Sequence, residues 1–292
     1  DAVVSRHAAL RTTYEMDGDR PVQVIHDQRA AGFVHADLTG VPEHDREGVL
    51  RERLEAEAGR PFDLCRDVML RATVYALDRE VHALLVVQHH IASDQWSADI
   101  LARELAELYR AASAGRPLAL PPLPIEYADY AVWQRQQLSS ERMTRQLAHW
   151  RERLRGAPAQ LALPWDRPRT SVRSSRGARR TIAWLADTVI ALEALAREED
   201  ATLFLVLMAA FQTWLFRYCG DDDVVVGSPV SGRVRPETES LVGYFANAIA
   251  FRGSLAGDPT FRELVRRVRE SWIDTEAHQD VPFEYVVDEV NP

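Results

Sequence analysis

In both halves of this sequence, short runs with a two-residue apolar period give way directly to longer runs with a helical period. Residues 80–88 (EVHALLVVQ) place Val81, Ala83, Leu85 and Val87 on one face, the pattern of a strand. The chain then passes through HHIASD into a segment where Ile100, Leu101, Leu105, Leu108 and Tyr109 form one apolar stripe, the pattern of a helix. Residues 22–26 and 68–76 also alternate as strands, and 45–58 between them is a charged amphipathic helix closed by Gly59-Arg60-Pro61. The opening AVVSRHAALRTTY reads as a helix, as do 126–138 and 141–155. In the second half, Thr202–Tyr218 is apolar nearly all round and predicts a buried helix. Asp223–Val226 reads as a buried strand of the parallel type and 241–252 as another. Asp258-Pro259 offers an N-cap and a first helical proline to a helix burying Phe261, Leu264, Val265, Val268 and Trp272. Strand–helix alternation on both sides predicts an α/β or α+β protein in two parts.

The break between the parts is sought where composition changes. A chain of 292 residues reaches the size at which single cores divide. Residues 156–180 hold three prolines among many Arg and Ser, the composition of a linker. The expected organisation is therefore an N-terminal lobe over 1–160, a linker over 161–180, and the start of a second lobe over 181–292. The sequence opens inside one predicted helix and closes just after another, as expected of a piece of a longer polypeptide.

Composition narrows the function. A net charge of −9 argues against nucleic acid as the main partner, since phosphate binding wants a basic face. No apolar run is long enough to cross a bilayer and no basic-then-apolar leader opens the chain, which favours a cytoplasmic protein with no membrane partner. Cys65 and Cys219 match no metal spacing and read as free thiols. All 35 basic residues are arginine, a bias that points to codon usage rather than function.

Chemistry concentrates in Gln88-His89-His90-Ile91-Ala92-Ser93-Asp94, at the end of a strand and before a helix. Adjacent histidines on extended backbone point to opposite sides, so one at most faces a given cleft. Zinc lacks a third ligand at a helical or loop spacing. Ordinary core or surface histidines and a helix-capping Asp94 stay open as alternatives. The arginines at 173–180 read as a solvated linker or as a receiver of phosphate or of an acidic helix.

His89-His90-x-x-x-Asp94 followed by Trp96-Ser97 resembles the active-site motif of the condensation domains of non-ribosomal peptide synthetases, which have a chloramphenicol-acetyltransferase-like fold. RHAALRTTY (Arg6–Tyr14), YADYAVW (Tyr127–Trp133), VGSPVSGR, VGYFANAIAFR (Val242–Arg252) and HQDVPFE (His278–Glu284) resemble further motifs of that family, in order, across the chain. The resemblance implies two such lobes meeting in a V with His90 at its floor, and family segments lying before Asp1 and after Pro292.

The activity it implies is amide bond formation: the α-amine of a carrier-bound aminoacyl acceptor attacks a carrier-bound acyl or peptidyl thioester. His90 would be the catalytic base, with His89 structural. Asp94 would pair with an arginine, Arg11 first and Arg252 second. Gln95, in place of the family's usual glycine, would line the substrate pocket with Trp96, Ser231 and Asn247. Trp133, Tyr127, Pro282 and Phe283 would be packing residues. The resemblance implies no metal and no directly bound cofactor, substrates arriving on phosphopantetheine arms. The implied partners are donor and acceptor carrier domains and a neighbouring adenylation domain. The SDxWS and LPIEYADYAVWQR segments look like the types that take an L-configured donor. A silent relative that recruits partner proteins and an ester-forming relative are the alternatives.

Overall fold

Thr12–Asp17 (β1) and Arg20–Ile25 (β2) form an antiparallel hairpin in a computed structural model that describes residues 1–167 and 177–291. Ahead of it, the predicted opening helix is cut short. The helix Ala2–Arg6 (α1) and a 3-10 turn over Ala8–Arg11 lead straight into β1. Only the first two residues of β1 are buried, so its charged outer half carries no alternation to read. Gly32–Asp37 (β3) likewise shows no strand pattern in the sequence, because nearly all of it is exposed.

β3 pairs in parallel with Leu70–Ala76 (β4), which pairs antiparallel with His82–Gln88 (β5). The helix Glu43–Gly59 (α2) connects β3 to β4. β5 ends at the two histidines, and Gln95–Ser113 (α3) leaves from them with Ile100 and Leu101 buried. Those residues join Val3, Val4, Leu10, Met69, Leu70, Ala92 and Val242 in one apolar core. Tyr127–Leu138 (α4) supplies Tyr130 to a second cluster with Leu241 and Phe245.

The remaining elements are Glu141–Arg153 (α5), Ala186–Glu198 (α6), Leu203–Cys219 (α7), Asp223–Val230 (β6), Asn247–Ser254 (β7), Phe261–Glu276 (α8) and Phe283–Val290 (α9). They enclose a separate core around Trp150, Val206, Ala209, Phe251 and Val265. β6 pairs antiparallel with β7, although its apolar run reads as a parallel-type strand. An all-apolar strand reports burial on both faces, not the direction of its neighbour. The N-cap of α8 is Thr260, reciprocally bonded with Glu263 in a capping box, and not Asp258, whose φ of 51° lies in the left-handed region.

Two compact units result, Asp1–Gln136 with Ser231–Ala246, and Gln137–Val230 with Asn247–Pro292. This division differs from the expected boundary at 160 in two places. α5 belongs with the second unit because Met143 and Trp150 enter its core. Residues 231–246 return to the first unit because Leu241, Val242 and Phe245 are buried there. Of the expected linker, residues 168–176 lie outside the described residues; those from 177 to 180 are exposed and form neither helix nor strand. Among the described residues no single helix is long and apolar enough to cross a membrane.

Candidate active site

β5 leads directly into His89 and His90, and each ring is held differently. His89 Nδ1 accepts the Ile91 N–H at 3.0 Å, and its ring meets Phe62 edge-on with centroids 5.7 Å apart. The Arg71 guanidinium covers that Phe62 ring at 3.8 Å. The His89 ring is thus occupied with the turn and its packing.

His90 is exposed and begins the 3-10 turn His90–Ala92. Its Nδ1 lies 2.6 Å from the Ser93 carbonyl oxygen. A carbonyl only accepts, so Nδ1 carries the proton, and in the neutral ring Nε2 carries the free lone pair. The backbone turn therefore selects the tautomer that a general base needs.

Asp94 follows on the other side of this turn, 7% exposed. It caps α3 through Ser97, accepting the backbone N–H at 2.8 Å and lying 2.7 Å from the hydroxyl. It also pairs with Arg233, whose Nη2 is 3.0 Å from Oδ1 and 3.3 Å from Oδ2, and accepts the Phe245 N–H at 3.1 Å. Burial by itself would raise the Asp94 pKa. The Ser97 hydrogen bonds, the Arg233 charge and the Phe245 N–H outweigh it and hold the carboxyl below its usual value.

Arg233 corrects the expected pairing, since both arginines expected at Asp94 are engaged elsewhere. Arg11 Nη1 donates to the His26 carbonyl. Arg252 binds Asp223 through Nε at 2.9 Å and Nη2 at 2.6 Å, within the β6–β7 pair. Arg233 instead has one Nη on the Thr238 carbonyl at 2.6 Å and its guanidinium 3.9 Å over the Phe245 ring.

The strand predicted over 241–252 begins only at Asn247, and residues 241–246 serve the site as irregular chain. Ser97 Oγ accepts the Gly243 N–H at 3.1 Å and lies 2.9 Å from its carbonyl. A Cβ at Gly243 would stand 2.2 Å from the Tyr127 ring, and one at Gly232 (φ 64°) 1.9 Å from the Phe245 carbonyl, so both glycines are steric necessities. Tyr127 and Trp133 pack around Tyr130 and Phe245, and the Tyr127 hydroxyl donates to the Tyr244 carbonyl at 2.7 Å.

The pocket candidates fare unequally. Gln95 is the exposed first residue of α3, with no positive φ, so the glycine it replaces is not needed for conformation here. Trp96 is 43% exposed and donates Nε1–H to the Glu239 carbonyl at 2.9 Å. Ser231 is exposed, its hydroxyl accepting the Arg233 N–H at 3.4 Å. Asn247 is a correction. Its Nδ2 donates to the carbonyls of Gln279 (2.9 Å) and Val281 (2.7 Å), while Oδ1 accepts from Phe283 (3.0 Å) and Ala248 (2.9 Å). The amide is spent on holding the HQDVPFE segment, leaving nothing for substrate.

Among the described residues, metal-type donors gather at His149, Asp274 and His278. The two rings stack 3.6 Å apart at 4°, so their lone pairs lie in parallel planes that do not converge on one ion. Arg153 Nη1, 3.3 Å from Asp274 Oδ2, already supplies the positive charge.

The HHxxxD segment thus joins a buried carboxylate that pins the loop to a tautomer-fixed histidine beside it. The family model of the condensation domain matches residues 1–292. The chain belongs to the condensation-domain family. This condensation domain is 46% identical over 288 residues to a component of the linear gramicidin synthase of Brevibacillus parabrevis, covering 99% of the domain and 4% of that protein. It is 40% identical over 288 residues to the phosphinothricin tripeptide synthetase PhsC of Streptomyces viridochromogenes, covering 99% of the domain and 26% of that protein. It superposes on the X-domain from teicoplanin biosynthesis with a TM-score of 0.88 at 32% identity, covering 99% of itself and 64% of that chain. The first condensation domain of the calcium-dependent antibiotic synthetase, in complex with a substrate analogue, has the same fold at 22% identity, with a TM-score of 0.79 over 99% and 67% of the two chains. The condensation domain thus spans a small part of these synthetases and about two thirds of these solved domains.

Proposed function

We propose that this condensation domain forms an amide bond between a carrier-bound acyl or peptidyl thioester and the α-amine of a carrier-bound aminoacyl acceptor. The observation that carries the reading is the Nδ1–Ser93 carbonyl bond, which leaves His90 Nε2 as the base. A free α-amine titrates near pH 8 and imidazole near about 6.5, close enough for proton exchange between them. The amine nitrogen attacks the thioester carbonyl, and its proton passes to Nε2 as the C–N bond forms. Collapse of the tetrahedral intermediate breaks the C–S bond and releases the thiolate, which takes the proton from Nε2 and leaves as the thiol. No energy source is needed, because thioester aminolysis runs downhill.

Asp94 and Arg233 do not enter these steps. They fix the turn that holds His90. The reactants would arrive on the phosphopantetheine arms of donor and acceptor carrier domains, the acceptor loaded by a neighbouring adenylation domain, in the cytoplasm. Mixing loaded carriers with the protein and detecting the amide by mass spectrometry tests the proposal.

A second reading is recruitment of a partner enzyme without catalysis. It is favoured by one observation: the teicoplanin X-domain, 33% identical to this chain, is seen in complex with OxyB. Tight partner binding with no amide from any acceptor would establish it.

A further inference from the structure

Tyr244 is the exposed residue between two bolted ones. On one side, the Gly243 N–H donates to Ser97 Oγ at 3.1 Å, and that oxygen lies 2.9 Å from the Gly243 carbonyl. On the other, the Phe245 N–H is held by Asp94 Oδ2 at 3.1 Å. The Tyr244 carbonyl itself accepts the Tyr127 hydroxyl at 2.7 Å. Residues 243–245 are thus fixed around the start of α3, the helix that follows the turn holding His90.

The Tyr244 ring, so delivered, meets the His90 ring edge-to-face, with centroids 5.1 Å apart and planes at 84°. This lies within the attractive range for aromatic pairs. The Ser93 carbonyl anchors one atom of the His90 ring. A single anchored atom leaves an exposed imidazole free to swing about that point, and the aromatic contact removes that freedom. The tyrosine hydroxyl makes no hydrogen bond among the described residues, so the ring alone does this.

We infer that Tyr244 is a positioning residue, whose ring locks the plane of His90 and aims Nε2. The inference rests on the proposed role of His90 as base, and adds to it the element that orients it. Pre-set orientation matters because misplacement of a reacting group by about 1 Å can cost on the order of 100-fold in rate. The segment VGYFANAIAFR therefore contributes to the site through the residue at its third position.

Tyr244→Phe and Tyr244→Ala test this, with Tyr244→Leu replacing Ala if the latter melts early. Tyr244→Phe is expected to keep wild-type turnover. Tyr244→Ala is expected to lower kcat by about 10- to 100-fold, with KM for either loaded carrier within about 3-fold. The acid limb of the pH profile, on which the base becomes protonated, should persist in both. Independently of turnover, NMR of ring-labelled histidine should show the His90 C–H resonances shifted in Tyr244→Ala and unmoved in Tyr244→Phe, because only the former loses the ring current. Unmoved His90 resonances in Tyr244→Ala would overturn the positioning role even in a protein that makes no amide. Loss of turnover in Tyr244→Phe equal to that in Tyr244→Ala would overturn it in favour of a hydroxyl that acts directly. Resonances shifted in Tyr244→Ala, when the wild type shows no condensation activity, would keep the contact and refute the reaction.

Discussion

Arg233 reaches back across 139 residues of chain to place Nη2 3.0 Å from Asp94 Oδ1. Both side chains are almost wholly buried, at 1% and 4% exposure. Removing one member of such a pair leaves an uncompensated charge out of water. Asp94→Ala is therefore expected to destabilise the protein by about 3–5 kcal/mol, read from chemical denaturation. An unchanged midpoint with abolished turnover would make Asp94 a direct catalytic group instead.

The same pair predicts an acid sensitivity. Asp94 sits below its usual value when folded, so its contribution is complete above about pH 4, where the unfolded carboxyl is ionised. It is lost as pH falls through the lower folded value. The stability gap between wild type and Asp94→Asn should therefore narrow on acidification below that point. Glu104, also held low against burial by His7 and Arg6, is common to both proteins and drops out of the difference. A gap that stays constant down the acid range would show that the carboxylate charge plays no part.

Asn247→Ala should act on stability and not on the chemistry, because its amide joins β7 to the HQDVPFE segment. Leaving the Phe283 N–H and two carbonyls without their partner should cost about 2–4 kcal/mol. A normal melting temperature with a raised KM would return Asn247 to the substrate pocket.

Gln95→Gly restores the residue that the family motif usually carries. Since Gln95 has no positive φ, the change should cost stability only at the level of helix propensity, about 1 kcal/mol. Its effect should fall on which acceptors are used, the open space admitting bulkier ones. An acceptor profile identical to wild type would remove Gln95 from the pocket.

How much of this is legible in the sequence depends on the range of each interaction. The strand, the two histidines, Asp94 and α3 lie within one stretch of chain, and period and motif together locate them. The fold class follows from alternation alone. Arg233 stands inside VGSPVSGR without announcing itself, because nothing local distinguishes a buried cation from the other arginines of a chain that uses no lysine. LVGYFA at 241–246 reads as strand because it is apolar. Its backbone N–H groups instead serve Ser97 and Asp94, a demand that only the folded chain reveals. Asn247 looks like a substrate donor for the same reason: its four partners lie one residue to more than thirty residues away.

The proposed chemistry turns on His90 Nε2 taking the proton of the attacking amine. Its direct test is the single-turnover rate of amide formation by His90→Ala with loaded donor and acceptor carriers, followed by mass spectrometry. Removing a positioned general base should slow condensation by roughly two to four orders of magnitude, while carrier binding and the melting temperature stay close to wild type. A His90→Ala protein that forms the amide as fast as wild type would rule out the base and leave alignment of the two reactants as the whole mechanism.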